Sequence, residues 1–242
     1  MPPPDWRWRV VNGLQEFSVD LDRRYVETDA PALIRALIET EFPRRTALIS
    51  SFGTESALLL ALAAEIDPGL PVLFIDTGQL FPETLDYRDE LAALLGLTNI
   101  RTITPAPLAL AERDPEGRLW QFDTDACCAL RKVEPLAIAL DGVDAVISGR
   151  KRYHGALRRF MPRFQAVDGR IKIDPLAHWT REMVEAEFAR RGLPHHPLQA
   201  EGYASVGCAP CTMPVTPGAA PRAGRWAGTA KTECGIHLAA AE

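Results

Sequence analysis

The chain has 242 residues, 47% hydrophobic and 24% charged, with a formal net charge of −5. That is enough apolar material for one globular core, and it excludes collagen, coiled coil and intrinsic disorder. The acidic balance argues against a nucleic-acid partner, so any bound anion must be held by a local cluster of Lys and Arg. The longest apolar run, 57–64, is far short of the roughly 18 residues of a membrane span, so no membrane association is expected.

Residues 1–30, with Pro2, Pro3 and Pro4, read as an N-terminal arm carrying one short helix and no chemistry. Helical spacing over 32–38 stops at Pro43, before a strand over 46–50. A helix over 55–65, a strand over 72–76, a helix over 82–95 and a strand over 99–104 follow in alternation. The helix 129–140, the strand 144–148 and the helix 180–191, closed by Gly192 and Pro194, continue it. Such alternation predicts an α/β fold with a largely parallel central sheet flanked by helices. Asp168-Gly169 between two apolar runs is a hairpin signal, read as a decoration on the sheet. The predicted α/β nucleotide-binding domain spans 31–206. Residues 207–242, rich in Pro, Gly and Ala, form a mobile C-terminal segment poorly equipped to pack.

Five cysteines cannot all pair within a monomer, and no secretory signal follows Met1, so a reducing cytoplasm is the expected compartment. Cys127 and Cys128 are adjacent, and Cys208 and Cys211 form Cys-Ala-Pro-Cys. Four thiolates from two close pairs can hold zinc or an iron-sulfur cluster. The adjacent pair fits a zinc knuckle poorly, whereas a cubane offers separate iron corners, which favours [4Fe-4S]. A thioredoxin-like redox couple is the other alternative, although this Cys-x-x-Cys lies in a Pro-rich loop. Cys234 is either an incidental tail thiol or a nucleophile whose thiolate Lys231, His237 and Arg225 would stabilise and Glu233 would oppose.

Ser50-Ser51-Phe52-Gly53-Thr54-Glu55-Ser56 lies where a strand gives way to a helix, a place suited to phosphate or sulfate and equally to simple helix capping. It is not a P-loop. Basic residues gather at Arg131-Lys132, at Arg150-Lys151-Arg152, at Arg158-Arg159, and at Arg222 with Arg225. Their positions after strand ends would let them converge at the carboxyl edge of the sheet.

Together these motifs, with Ile75-Asp76-Thr77-Gly78, Gly224-Arg225-Trp226 and Glu233-Cys234-Gly235-Ile236-His237, resemble the assimilatory adenylyl-sulfate reductases. These are the iron-sulfur branch of the phosphoadenylyl-sulfate reductase family, with an adenine-nucleotide α-hydrolase-like fold. The resemblance implies thioredoxin-dependent reduction of adenosine 5'-phosphosulfate to sulfite and AMP, through an S-sulfocysteine on Cys234. It implies a cluster on Cys127, Cys128, Cys208 and Cys211. By the same resemblance Ser50, Ser51, Gly53, Lys132, Arg222, Arg225 and Trp226 would line the substrate site, with Ile75 and Gly149 near the adenosine. Arg131, Arg150, Arg158, Arg159 and His237 complete the candidate set, with Arg158 and Arg159 both open as the sulfate contact. A homo-oligomer is a family-level expectation. The chain departs from the family's usual Arg-Arg-Asp-Gln-Ser-Pro after Gly149, and a single tryptophan, Trp226, follows Arg225. The alternatives are a reductase of the 3'-phosphorylated nucleotide, an adenylating thiolase of the same fold, and a non-catalytic iron-sulfur redox sensor.

Overall fold

The computed structural model describes residues 11–236. Six strands, β1 (Thr46–Ser50), β2 (Val72–Ile75), β3 (Ile100–Ile103), β4 (Ala145–Ile147), β5 (Phe164–Val167) and β6 (Arg170–Ile173), form one sheet in the order β3-β2-β1-β4-β6-β5. All neighbours are parallel except β5 and β6. Along β1 successive side chains alternate between two apolar layers, as a strand covered on both faces requires. Leu48 joins the larger core, while Ala47 and Ile49 pack with Leu73, Val146 and Leu136 on the other face.

The helices are α1 (Val11–Arg24), α2 (Ala30–Ala36), α3 (Ser56–Ala64), α4 (Pro82–Leu95), α5 (Pro107–Arg113), α6 (Leu119–Phe122), α7 (Thr124–Cys128), α8 (Glu134–Ala139) and α9 (Arg181–Arg191). None of the described helices is long and apolar enough to cross a membrane. The chain runs β1, β2, β3 outward in one direction and then places β4 on the other side of β1. That reversal opens a crevice beyond the carboxyl ends of β1 and β4, the usual ligand position in an open α/β sheet.

Four differences from the sequence expectation stand out. The Asp168-Gly169 turn, with φ of 50° and 71°, does form a hairpin, but β6 pairs with β4 and is integral to the sheet. The expected helix 129–140 instead begins as a π turn at Ala129–Val133, continuing from α7, and becomes α-helical only in α8. Pro135 explains the π turn, because it has no N–H to donate and its ring would clash with the carbonyl four residues back. The C-terminal segment is held to the body, where Leu80 bridges Cys208 and Ala209 N–H donates to the Gln79 carbonyl at 2.7 Å, and it folds on itself, where Thr212 bridges Arg225 and Met213 N–H donates to the Gly224 carbonyl at 2.9 Å. A Cβ on Gly224 would lie 2.0 Å from the Met213 carbonyl oxygen, so only glycine permits this approach.

The fourth difference is α1, which belongs to the main core. Leu14 and Leu21 are buried in it, and Arg163 fastens the following turn by donating to the carbonyls of Tyr25 and Thr28 at 2.8 and 2.9 Å. Leu21→Ala should therefore destabilise the whole fold by about 2–5 kcal/mol. Urea unfolding followed by circular dichroism measures it, and a loss under about 1 kcal/mol would make α1 a peripheral arm after all.

Candidate active site

β1 ends at Ser50, whose Oγ accepts from the Phe52 N–H at 3.1 Å. Phe52 adopts a left-handed φ of 47° with its ring fully buried edge-on to Phe74. The strain is sustained by that packing, and it turns Ser51 and Gly53 toward the crevice at the start of α3. The C-terminal part of the chain closes over this loop: Thr54 donates to the Ala204 carbonyl at 3.2 Å, and a Cβ on Gly53 would meet the Val206 carbonyl at 3.3 Å.

One cleft, of about 1260 Å³ counting its open mouth, gathers most of the candidate residues. Its lining includes Ser50, Ser51, Gly53, Ile75, Lys132, Gly149, Arg150, Arg158, Arg222, Arg225, Trp226 and Cys234. Two candidates fall elsewhere. Arg131 turns away and is buried, donating to Asp114 Oδ2 at 2.7 Å and to the Thr77 carbonyl at 2.7 Å. Arg159 is exposed and does not line the cleft, so Arg158 is the inward member of that pair. His237 lies outside the described residues.

The inward cations differ in how far they are committed. Arg150 is held by fully buried Asp174 at 2.6 Å, which leaves its charge largely spent. Arg158 makes a two-pronged bond to Glu233. Arg222 is pushed down to about 10, first by burial and then by the neighbouring Arg158, with Glu233 offsetting them. Arg222, Arg225 and Lys231 all sit over the Trp226 ring, at 5.7, 4.7 and 5.7 Å. Trp226 itself takes a φ of 49°. A Cβ on Gly207 would stand 2.2 Å from Arg225 Nη2, so glycine there gives the guanidinium its place. Arg225 Nε and Trp226 Nε1 are buried without a hydrogen-bond partner among the described residues, and both residues line the cleft. Such crowding of cations and unsatisfied donors suits an anion.

The cleft also contains a group the sequence reading missed. Glu55 accepts from Lys151 Nζ at 2.7 Å and Tyr153 OH at 2.6 Å, and lies 3.0 Å from His154 Nε2. Burial would raise the Glu55 carboxyl, but His154 and Lys151 outweigh it and hold it well below the usual range. Its sequence signal was the carboxylate inside the anion loop together with the run 150–154, two segments about a hundred residues apart.

Cys127, Cys128, Cys208 and Cys211 line a second, smaller cavity with Arg131 and Lys132. Asp123 caps α7 by accepting from the N–H groups of Asp125 and Ala126, which fixes the helix end that carries the adjacent pair. All five cysteines are free thiols. Burial pushes Cys127 and Cys128 up to about 11, which sets them apart from a reactive thiolate. Among the described residues no three His, Cys, Asp or Glu side chains stand at the spacing of a single metal ion. Lys132 lines both cavities; burial lowers it, but Cys208, Cys234 and Cys128 outweigh that and raise it above the ordinary lysine value.

Comparison with known proteins identifies the family. Residues 45–214, more than half of the chain, match the model of the phosphoadenosine phosphosulfate reductase domain. An adenosine 5'-phosphosulfate reductase of Mesorhizobium japonicum is 50% identical, over 96% of this chain and 91% of its own. A phosphoadenosine 5'-phosphosulfate reductase of Gloeobacter violaceus is 38% identical, over 93% and 95%. Among solved structures, phosphoadenylyl-sulfate reductase from Candida auris in a phosphate complex superposes with a TM-score of 0.70 at 28% identity, covering 82% of this chain and 97% of that one. The chain belongs to the phosphoadenosine phosphosulfate reductase family.

Proposed function

We propose that this protein reduces adenosine 5'-phosphosulfate to sulfite and AMP. The observation that carries the reading is a single cleft in which Cys234 meets Lys132, Arg222 and Arg225 beside the loop Ser50, Ser51 and Gly53. The Cys234 thiolate attacks the sulfate sulfur, a sulfur–sulfur bond forms, and the bond from sulfur to the phosphate oxygen breaks with its electron pair leaving on AMP. Lys132, Arg222 and Arg225 offset the charge that gathers on the leaving phosphate and the sulfonate. Ile75 and Gly149 border the adenosine, and Trp226 covers the site. A reduced thioredoxin supplies two electrons: one thiolate displaces sulfite from S-sulfocysteine to form a mixed disulfide with Cys234, and its second thiol breaks that bond, closing the thioredoxin disulfide and releasing Cys234 as the thiol. For that encounter the part of the tail that carries Cys234 swings outward, while Cys208 and Cys211 stay beside Cys127 and Cys128.

The donor set around the second cavity fits a [4Fe-4S] cluster, with Cys127, Cys128, Cys208 and Cys211 as ligands from two segments far apart in sequence. When bound, the cluster would tie these segments together and shape the field near Lys132. Five free thiols suit a reducing cytoplasm.

The test is a thioredoxin-coupled sulfite assay on the purified protein, comparing adenosine 5'-phosphosulfate with its 3'-phosphorylated form. Sulfite is expected from the first at the higher kcat/KM. The reverse preference would reassign the substrate, and sulfite from neither would turn the reading toward a redox sensor.

A further inference from the structure

Arg158 projects from the short turn Ala156–Phe160, where Leu157, Arg159 and Phe160 are exposed to solvent. Its neighbours on that turn therefore do not fix its inward aim. What meets the guanidinium on its inner side is His154, whose Nδ1 lies 3.2 Å from Nη1. The other imidazole nitrogen, Nε2, lies 3.0 Å from Glu55, at the start of α3. On its far side Arg158 reaches the tail, with Nε and Nη2 at 2.5 and 2.8 Å from the two oxygens of Glu233, the residue before Cys234. One line of hydrogen bonds thus runs from the anion loop to the cysteine segment. We propose that His154 is a positioning residue: it aims the Arg158 guanidinium at Glu233 and so holds the Cys234 segment in the cleft.

The donor inventory fixes how the line must be protonated. A guanidinium cannot accept a hydrogen bond, so Nδ1 is the acceptor and Nε2 carries the proton donated to the Glu55 carboxylate. A second proton on His154 would set an N–H against the guanidinium and break the line. The groups facing His154 are Glu55 from α3, Lys151 and Tyr153 from its own loop, both bound to the same Glu55 carboxylate, and Arg158, with Glu233 beyond it. Arg181 of α9 lies over the Tyr153 ring. Burial, Lys151 and Arg158 outweigh Glu55 and hold the imidazole below its usual range. The contact is therefore complete above the ordinary histidine pKa and is lost as pH falls through the depressed one.

Only the catalytic consequence rests on the reaction proposed above; the docking of the segment does not. The primary experiment is therefore tryptic cleavage after Lys231, whose side chain is largely covered in the docked segment, followed by mass spectrometry on the full chain. At about pH 7.5, His154→Leu and Glu233→Gln should each speed cleavage about ten-fold, the scale of one lost charge-assisted hydrogen bond. The double variant should add nothing to either, because both break one line. His154→Gln, which offers a donor and an acceptor but does not titrate, should stay within about two-fold of the parent. As pH falls below the ordinary histidine range, the parent should open relative to His154→Gln. In the sulfite assay His154→Leu should lower kcat with KM nearly unchanged. Parent-like cleavage in Glu233→Gln, or in His154→Leu with an unchanged near-ultraviolet spectrum, would overturn the proposal, as would His154→Gln behaving like His154→Leu. No sulfite from the parent would remove the reaction and leave the cleavage result standing.

Discussion

Cys234→Ser is expected to lower sulfite formation by roughly 10⁴-fold or more, the scale of deleting a catalytic nucleophile, while AMP binding measured by calorimetry stays within about two-fold. The reason is chemical. A serine hydroxyl at neutral pH has almost no anion to offer, and sulfur is the more acidic and more nucleophilic atom of the two. Cys234 is half-buried on the wall of a cleft that also presents Lys132, Arg222 and Arg225, and Lys132 is raised in part by Cys234 itself. A second thiol, Cys208, lines the same cleft and is the internal competitor for the role. Mass spectrometry of protein mixed with adenosine 5'-phosphosulfate, without reductant, separates the two. The sulfonate should sit on the peptide containing Cys234 and vanish in the variant. An adduct that survives Cys234→Ser would move the nucleophile to Cys208 and leave the tail thiol without a role.

The parts of this fold that could be read from the sequence are those governed by local rules. The strand 46–50, the helix over 82–95 begun by a proline, and the helix closed by Gly192 in a left-handed conformation at φ 60° all appear where the pattern put them. The parts that could not be read depend on partners distant in sequence. Leu14 and Leu21 sit seven residues apart on one face of α1, yet their burial comes from the sheet that forms much later in the chain. Arg131 and Lys132 are adjacent and chemically alike, but the π turn that Pro135 imposes sends one to Asp114 and the other to the cleft. Nothing local to Arg131 announces Asp114, which stands 17 residues upstream. The same holds for Glu55, whose bonds to Lys151 and His154 span 96 and 99 residues. The structure places Cys127, Cys128, Cys208 and Cys211 around one cavity, and Cys234 together with Cys208 on the wall of the cleft.

Cys128→Ser should remove the visible absorption of the protein as isolated and lower its unfolding midpoint by about 10 °C. A ligand held by the native state alone stabilises it, and each kcal/mol moves the midpoint of a chain this long by about 2–4 °C. Cys128 is the informative choice because it is the buried last residue of α7, where the helix gives way to the π turn. A serine there keeps the helix and its Asp123 cap while withdrawing one sulfur from the cavity. The two effects should move together: loss of colour without loss of stability would mean that the group does not brace α7 against the segment that carries Cys208 and Cys211. Cys234→Ser provides the control, since it should keep both colour and midpoint while losing the reaction. A Cys128→Ser protein with full absorption and parental stability would remove Cys128 from the ligand set, and a parent that is colourless and holds zinc would replace the cluster with a different site altogether.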